Sequence, residues 1–118
     1  MVYIIQEPLK RDSVTGEMVP QFDLRKVLEF GEPVVCLPNG RVGFSPVPTV
    51  YALKDKLRNF CDNDYLVAIG DPSAIAIASA ICCNNNMGRM KMLKWDKEHR
   101  TYIKVAIDIF PERRTYNE

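Results

Sequence analysis

Gly70-Asp71-Pro72-Ser73 stands between the apolar run Tyr65–Ile69 and the Ala/Ile-rich stretch 73–83. That order reads as a strand, a tight turn and the first turn of a helix. Such a turn can hold an anion or a small ligand, because free N–H groups and the helix dipole face it. Gly70, Asp71 and Ser73 would be the ligand-binding residues. The pattern limits that chemistry. One glycine stands where phosphate-binding loops carry several, Pro72 has no N–H, and Asp71 repels phosphate. A capped helix start accounts for the same residues, with Asp71 accepting from the first turn and Pro72 where a missing donor costs nothing.

A second group with chemical potential is basic and aromatic. Arg89, Lys91, Lys94, Lys97, Arg100 and Lys104 stand against Asp96 and Glu98, with Trp95 and Tyr102 interleaved. On a β-hairpin these residues can track a phosphate backbone and stack bases. A solvated hairpin with Trp95 anchored in the core is the plainer reading. Catalytic groupings are poorly represented. His99 is the only histidine, and no Ser or Cys nucleophile is spaced to meet it. Asp62 and Asp64 lie beside a turn, where capping and solvation explain them better than metal binding or acid–base work. There is no CxxC and no zinc-ligand spacing. The expectation is a protein that is not an enzyme and carries no cofactor or metal.

The elements that must position these residues follow from periodicity. Val2–Ile5 reads as a strand, and residues 9–22 as polar and turn-rich around Thr15-Gly16. Asp23 is placed to cap a short helix over 24–30, ended by Gly31. Val34–Leu37 reads as a strand, with Asn39-Gly40 signalling a hairpin that returns over 41–44. Val50, Leu53, Leu57 and Phe60 fall at helical spacing behind a proline-rich entrance at 45–49. The chain closes with strands over 90–95 and 102–109. In the last strand Ile103, Val105, Ile107 and Ile109 are expected to face inward, and Tyr102, Lys104, Ala106 and Asp108 outward. Ile69 is expected to be buried with Ile107. The fold class is therefore α/β, one domain over residues 1–118. It has a small mixed sheet, a parallel βαβ core, a C-terminal antiparallel hairpin and two to three packed helices.

The helix 73–83 spreads apolar side chains around its whole circumference, more than a domain of 118 residues readily buries. One face is expected to lie in an interface with a protein partner or within a homo-oligomer, and Ile75, Ile77, Ser79 and Ile81 are the candidates. Sixteen basic against fifteen acidic residues give a formal net charge of +1, which argues against dedicated non-specific nucleic-acid binding. Cys36, Cys61, Cys82 and Cys83 read as buried free thiols. Val2–Ile5 is too short for an export signal, and the longest apolar segment, 74–83, is about half of a bilayer span. A cytoplasmic protein without membrane contact is expected.

Three stretches, VYIIQEPLKRDSVTG, DYLVAIGDPSAIAIASAI and MKMLKWDKEHRTYIKVAIDI, together resemble short proteins of tailed bacteriophages, particularly podophages with T7-like genomes. The resemblance brings no catalytic motif. It implies a small phage product acting in the host cytoplasm by binding a host or phage protein. The alternatives are nucleic-acid binding through hairpin 89–104 and ligand binding at Gly70–Ser73.

Overall fold

The computed structural model describes residues 1–20, 24–40, 42, 43 and 45–112. Its centre is a five-stranded sheet built from β1 (Val2–Gln6), β4 (Pro33–Leu37), β5 (Tyr65–Val67), β6 (Arg89–Asp96) and β7 (Thr101–Asp108). The strand order is β4-β1-β5-β6-β7. The first four are mutually parallel, and β7 returns antiparallel to β6. Apart from the sheet, β2 (Leu9–Arg11) and β3 (Met18–Pro20) form a small antiparallel ribbon. The fold is mixed α/β, with a parallel core and an antiparallel C-terminal hairpin, as the sequence leads one to expect.

Helices α1 (Val47–Leu57) and α2 (Pro72–Asn85) lie together on one face of the sheet. There Tyr3, Ile5, Leu66 and Met90 meet Leu53, Leu57, Phe60, Ala74, Ala78, Ile81 and Cys82. A 3₁₀ segment, Leu24–Glu29, covers the opposite face through Val27, against Val2, Ile4, Val67, Ile69, Leu93 and Tyr102. Alternation along β1 explains the division: Tyr3 and Ile5 point to the helices, Val2 and Ile4 away. The continuous apolar character of β1 is that of a strand covered on both sides.

Several expectations are corrected. Residues 9–20 contain the β2–β3 ribbon, because Asp12 accepts from Val14 N and Thr15 N and folds a turn closed by Gly16 at φ +74°. Among the described residues no hairpin follows Asn39-Gly40: β4 pairs with β1 alone, and Val42 and Gly43 are not in a strand. Instead Asn39 Nδ2 donates to Glu7 O and Leu9 O, folding this loop over the end of β1. Arg41, Phe44 and the cap expected at Asp23 lie outside the described residues.

In β7 the inward and outward assignments fail at both ends. Tyr102 is buried, stacked edge-on with Trp95 at 5.0 Å between centroids, whereas Ile103 is 40% exposed and Ile109 55%. Ile69 is buried, but Ile107 is only half-buried. The cause is coverage. The helix layer packs mainly over β4, β1 and β6, and from β7 Ile107 reaches the cluster beneath it while Ile103 does not.

The thiols also divide. Cys36 and Cys82 are buried, Cys83 is half-buried and Cys61 is exposed, contrary to the expectation for all four. Burial pushes Cys36 up to about 11 and Cys82 up to about 12, so both are protonated and unreactive at neutral pH. A thiol reagent is accordingly expected to label Cys61 rapidly in the native protein. Cys36 and Cys82 should react only after unfolding, as mass mapping of the labelled peptides against time would show.

Candidate functional site

Strand order reverses at β1, with β4 on one side and β5 on the other, so the carboxyl ends of β1 and β5 flank a topological switch point. Ligands of open α/β sheets favour that crevice, and Gly70, Asp71 and Ser73 do stand there. Its polar groups are already engaged. Buried Gln6, the last residue of β1, accepts from Asp71 N through Oε1. Its Nε2 donates to Gly40 O at 2.7 Å and Pro38 O at 3.3 Å. Asp71 Oδ1 accepts from Ser73 N at 2.8 Å, capping α2. Gly70 allows this approach: at φ +140°, a Cβ built there would sit 2.5 Å from Gln6 Oε1. The turn is thus a polar clasp joining β1, the loop after β4 and the start of α2. Sequence reading found the cap but missed Gln6, whose partners lie 32 to 65 residues away.

The basic residues of the β6–β7 hairpin do not share one surface. Alternation places Arg89, Lys91 and Lys104 on the 3₁₀ side, while Lys94 lies on the helix side opposite Ile103. Lys97 and Arg100 occupy the connecting turn. Arg89 is paired with Asp62 at 3.2 Å, and the Lys91 ammonium lies 4.2 Å from the centre of the Tyr65 ring. Tyr102 is buried and meets Trp95 edge-on, which withholds its ring from a base. At the tip of the hairpin Asp96 accepts from the N–H groups of Glu98 and His99 and pairs with His99 Nδ1 at 2.6 Å. The bond from His99 holds the Asp96 carboxyl below the usual carboxylate range. With Glu98 these form a grouping of three potential metal ligands among the described residues, two of them exposed. The turn's own hydrogen bonds account for Asp96 and His99.

The helix layer presents a different surface. On α2, Ile81 is buried, and Ile75, Ile77 and Ser79 are half-buried. Ile75 and Ile77 pack against the core. What α2 turns outward is small or polar: Ser73, Ala76, Ala80, Asn84 and Asn85 are exposed. The neighbouring α1 carries Val47, Tyr51, Lys54 and Arg58 at i, i+4, i+7 and i+11, one stripe of a helix and its following residue. Tyr51 is 70% exposed. Between the helices lies a groove of about 430 Å³, lined by Lys54, Arg58, Ala80, Ile81, Asn84 and Asn85. Ala80 and Ile81 share that lining with the basic Lys54 and Arg58 and the amides Asn84 and Asn85, and Tyr51 lies one turn of α1 before Lys54. Sequence reading took isoleucines for the outward face. The signal it missed was Tyr51, an aromatic between Val47 and the basic pair Lys54 and Arg58 on one stripe of α1.

No helix among the described residues is long and apolar enough to cross a membrane. No curated protein and no solved structure matches the chain. The family described as Phage Pam3 gp32-like protein matches residues 1–109, nearly the whole chain, a span that contains β1 to β7, α1 and α2. A bacteriophage origin, expected from the three stretches quoted above, therefore stands on the full fold, and the chain belongs to the phage Pam3 gp32-like protein family.

Proposed function

We propose that this phage protein is a non-enzymatic binding module that engages a host or phage protein in the cytoplasm of the infected cell. Its binding surface is the outer groove between α1 and α2. The observation that carries the reading is Tyr51, 70% exposed on α1 one turn before Lys54 of this groove, whose lining includes the exposed Ala80. Tyrosine is enriched among residues that dominate binding energy, and small neighbours let a partner's backbone or side chains come close. Lys54 and Arg58 at one end suit a partner segment bearing carboxylates there. Nucleic-acid binding has less support, because the hairpin's cations are divided between two faces. Ligand binding at Gly70–Ser73 has less again, since Gln6 and Asp71 already use the donors. The narrower setting, a podophage with a T7-like genome, rests on the resemblance of the three sequence stretches.

The test is affinity capture from infected cells with the wild-type chain and with Tyr51→Ser and Ala80→Arg variants. Both positions are exposed, so the variants should fold normally. A specific partner is expected with wild type and should be lost by at least about tenfold in each variant. Equal capture of that partner by all three proteins would place binding elsewhere.

A further inference from the structure

The groove between α1 and α2 has a direction. β4, β5 and β6 are parallel and are joined through α1 and then α2, so both helices run the same way, against the strands. Asn85 Nδ2 donates to Leu57 O at 3.3 Å, which sets the two C-terminal ends side by side. Two aligned macrodipoles therefore end together, and their carbonyl ends carry partial negative charge.

Lys54 and Arg58 line the groove at this end. Lys54 makes no ion pair among the described residues. Arg58 lies 3.7 Å from Asp55, but both side chains are largely exposed, and such a pair holds its members weakly. Asn84, exposed at the same end, adds an amide donor. Towards the start of α1 the stripe becomes apolar, with Tyr51 and Val47 both exposed. From Arg58 back to Lys54, Tyr51 and Val47 the steps are about 6, 4.5 and 6 Å along the axis.

We propose that the partner's contacting segment is an α-helix with an acidic first turn, lying antiparallel to α1 and α2. This rests on the groove being the binding surface and adds the chemistry of what fills it. Two electrostatic effects select the same direction. An antiparallel helix brings its positive N-terminal end to the negative ends of α1 and α2, whereas a parallel one sets like ends together. Carboxylates are favoured in a first turn, and only the antiparallel direction brings that turn to Lys54 and Arg58. The helical period then fixes the spacing. Carboxylates at i and i+4 stand opposite Arg58 and Lys54, and apolar side chains at i+7 and i+11 cover Tyr51 and Val47. A second copy of the chain offers no such helix from α1 or α2, since neither has an acid in its first turn.

Amide NMR titration of the full chain with two designed helical peptides of about 16 residues tests this. One peptide carries Glu at i and i+4 and Leu at i+7 and i+11; the other has Lys in place of Glu. The Glu peptide is expected to shift the amides around Lys54, Arg58 and Ala80 and to bind at least about tenfold tighter than the Lys peptide. Lys54→Glu with Arg58→Glu should reverse that preference. Both positions are exposed, so the fold should persist, and an unchanged circular dichroism spectrum would confirm it. Lys56→Glu makes the same change of charge at an exposed position outside the groove lining and should leave the preference in place. Failure of both peptides to bind would overturn the proposal. So would equal affinity for the two, or a preference that Lys56→Glu reverses as readily as the groove variant. Capture that still depends on Tyr51 and Ala80 would in those cases keep the groove as the site for a partner of other chemistry, so the two readings fail separately.

Discussion

Leu66→Ala is expected to lower the unfolding free energy by about 2–5 kcal/mol, in the upper half of that range. Leu66 is fully buried at the centre of β5, opposite Tyr3 of β1 and Met92 of β6. It lies in the cluster formed with α1 and α2. Truncation removes the transfer free energy of its methyl-bearing branch and leaves a void. How much that void costs depends on whether neighbours can fill it. The helix across from β5 offers Ala74 and Ala78, both buried, and alanine has no rotamer with which to reach inward. Strand partners on both sides hold the backbone in register. Urea denaturation should show a lower midpoint with an unchanged slope, the signature of lost stability rather than altered compactness. A loss under about 1 kcal/mol would mean that the site collapses freely and that α2 is not rigidly seated on the sheet.

What the sequence disclosed was local, and what it concealed depended on coverage and long-range partners. The strand-turn-helix unit over 65–85 was readable because each signal lies beside the next: an apolar run, Gly70, Asp71, Pro72. The two faces of β7 were not readable, since alternation says which residues share a face but not which face is covered. Tyr102 is buried because Trp95 and the 3₁₀ segment meet it; Ile103 is exposed because the helix-side cluster reaches β7 at Ile107 and not at Ile103. The same limit applies to α2. Its isoleucines were taken as an outward face, yet Ile81 is buried and alanines look out, a choice made by rotation of the helix about its axis. The Asn39-Gly40 signal was overridden by Gln6 and Asn39, whose hydrogen bonds draw the loop across the end of β1.

That clasp yields the second large effect. Gly70→Ala is expected to destabilise the protein by about 3 kcal/mol, from two sources that can be separated. One is conformational: φ at residue 70 is +140°, a region costing an L-residue about 1–3 kcal/mol. The other is contact. The added methyl would lie 2.5 Å from Gln6 Oε1 and 3.0 Å from its Cγ, so Gln6 must move away. Moving it breaks its bonds to Asp71 N, Gly40 O and Pro38 O, and a buried polar group left unpaired costs about 1–3 kcal/mol. Gln6→Ala should by itself show most of this second cost. In the Gln6→Ala background, Gly70→Ala should then cost mainly the conformational part, because of the three close atoms only the residue-6 Cβ, 3.1 Å from the added methyl, remains. The double-mutant cycle is therefore expected to be non-additive by at least about 1 kcal/mol, with the pair less damaging than the sum. Additive costs would show that residues 6 and 70 act independently. The crevice at the β1–β5 switch point would then be open to a ligand rather than closed by the chain's own glutamine.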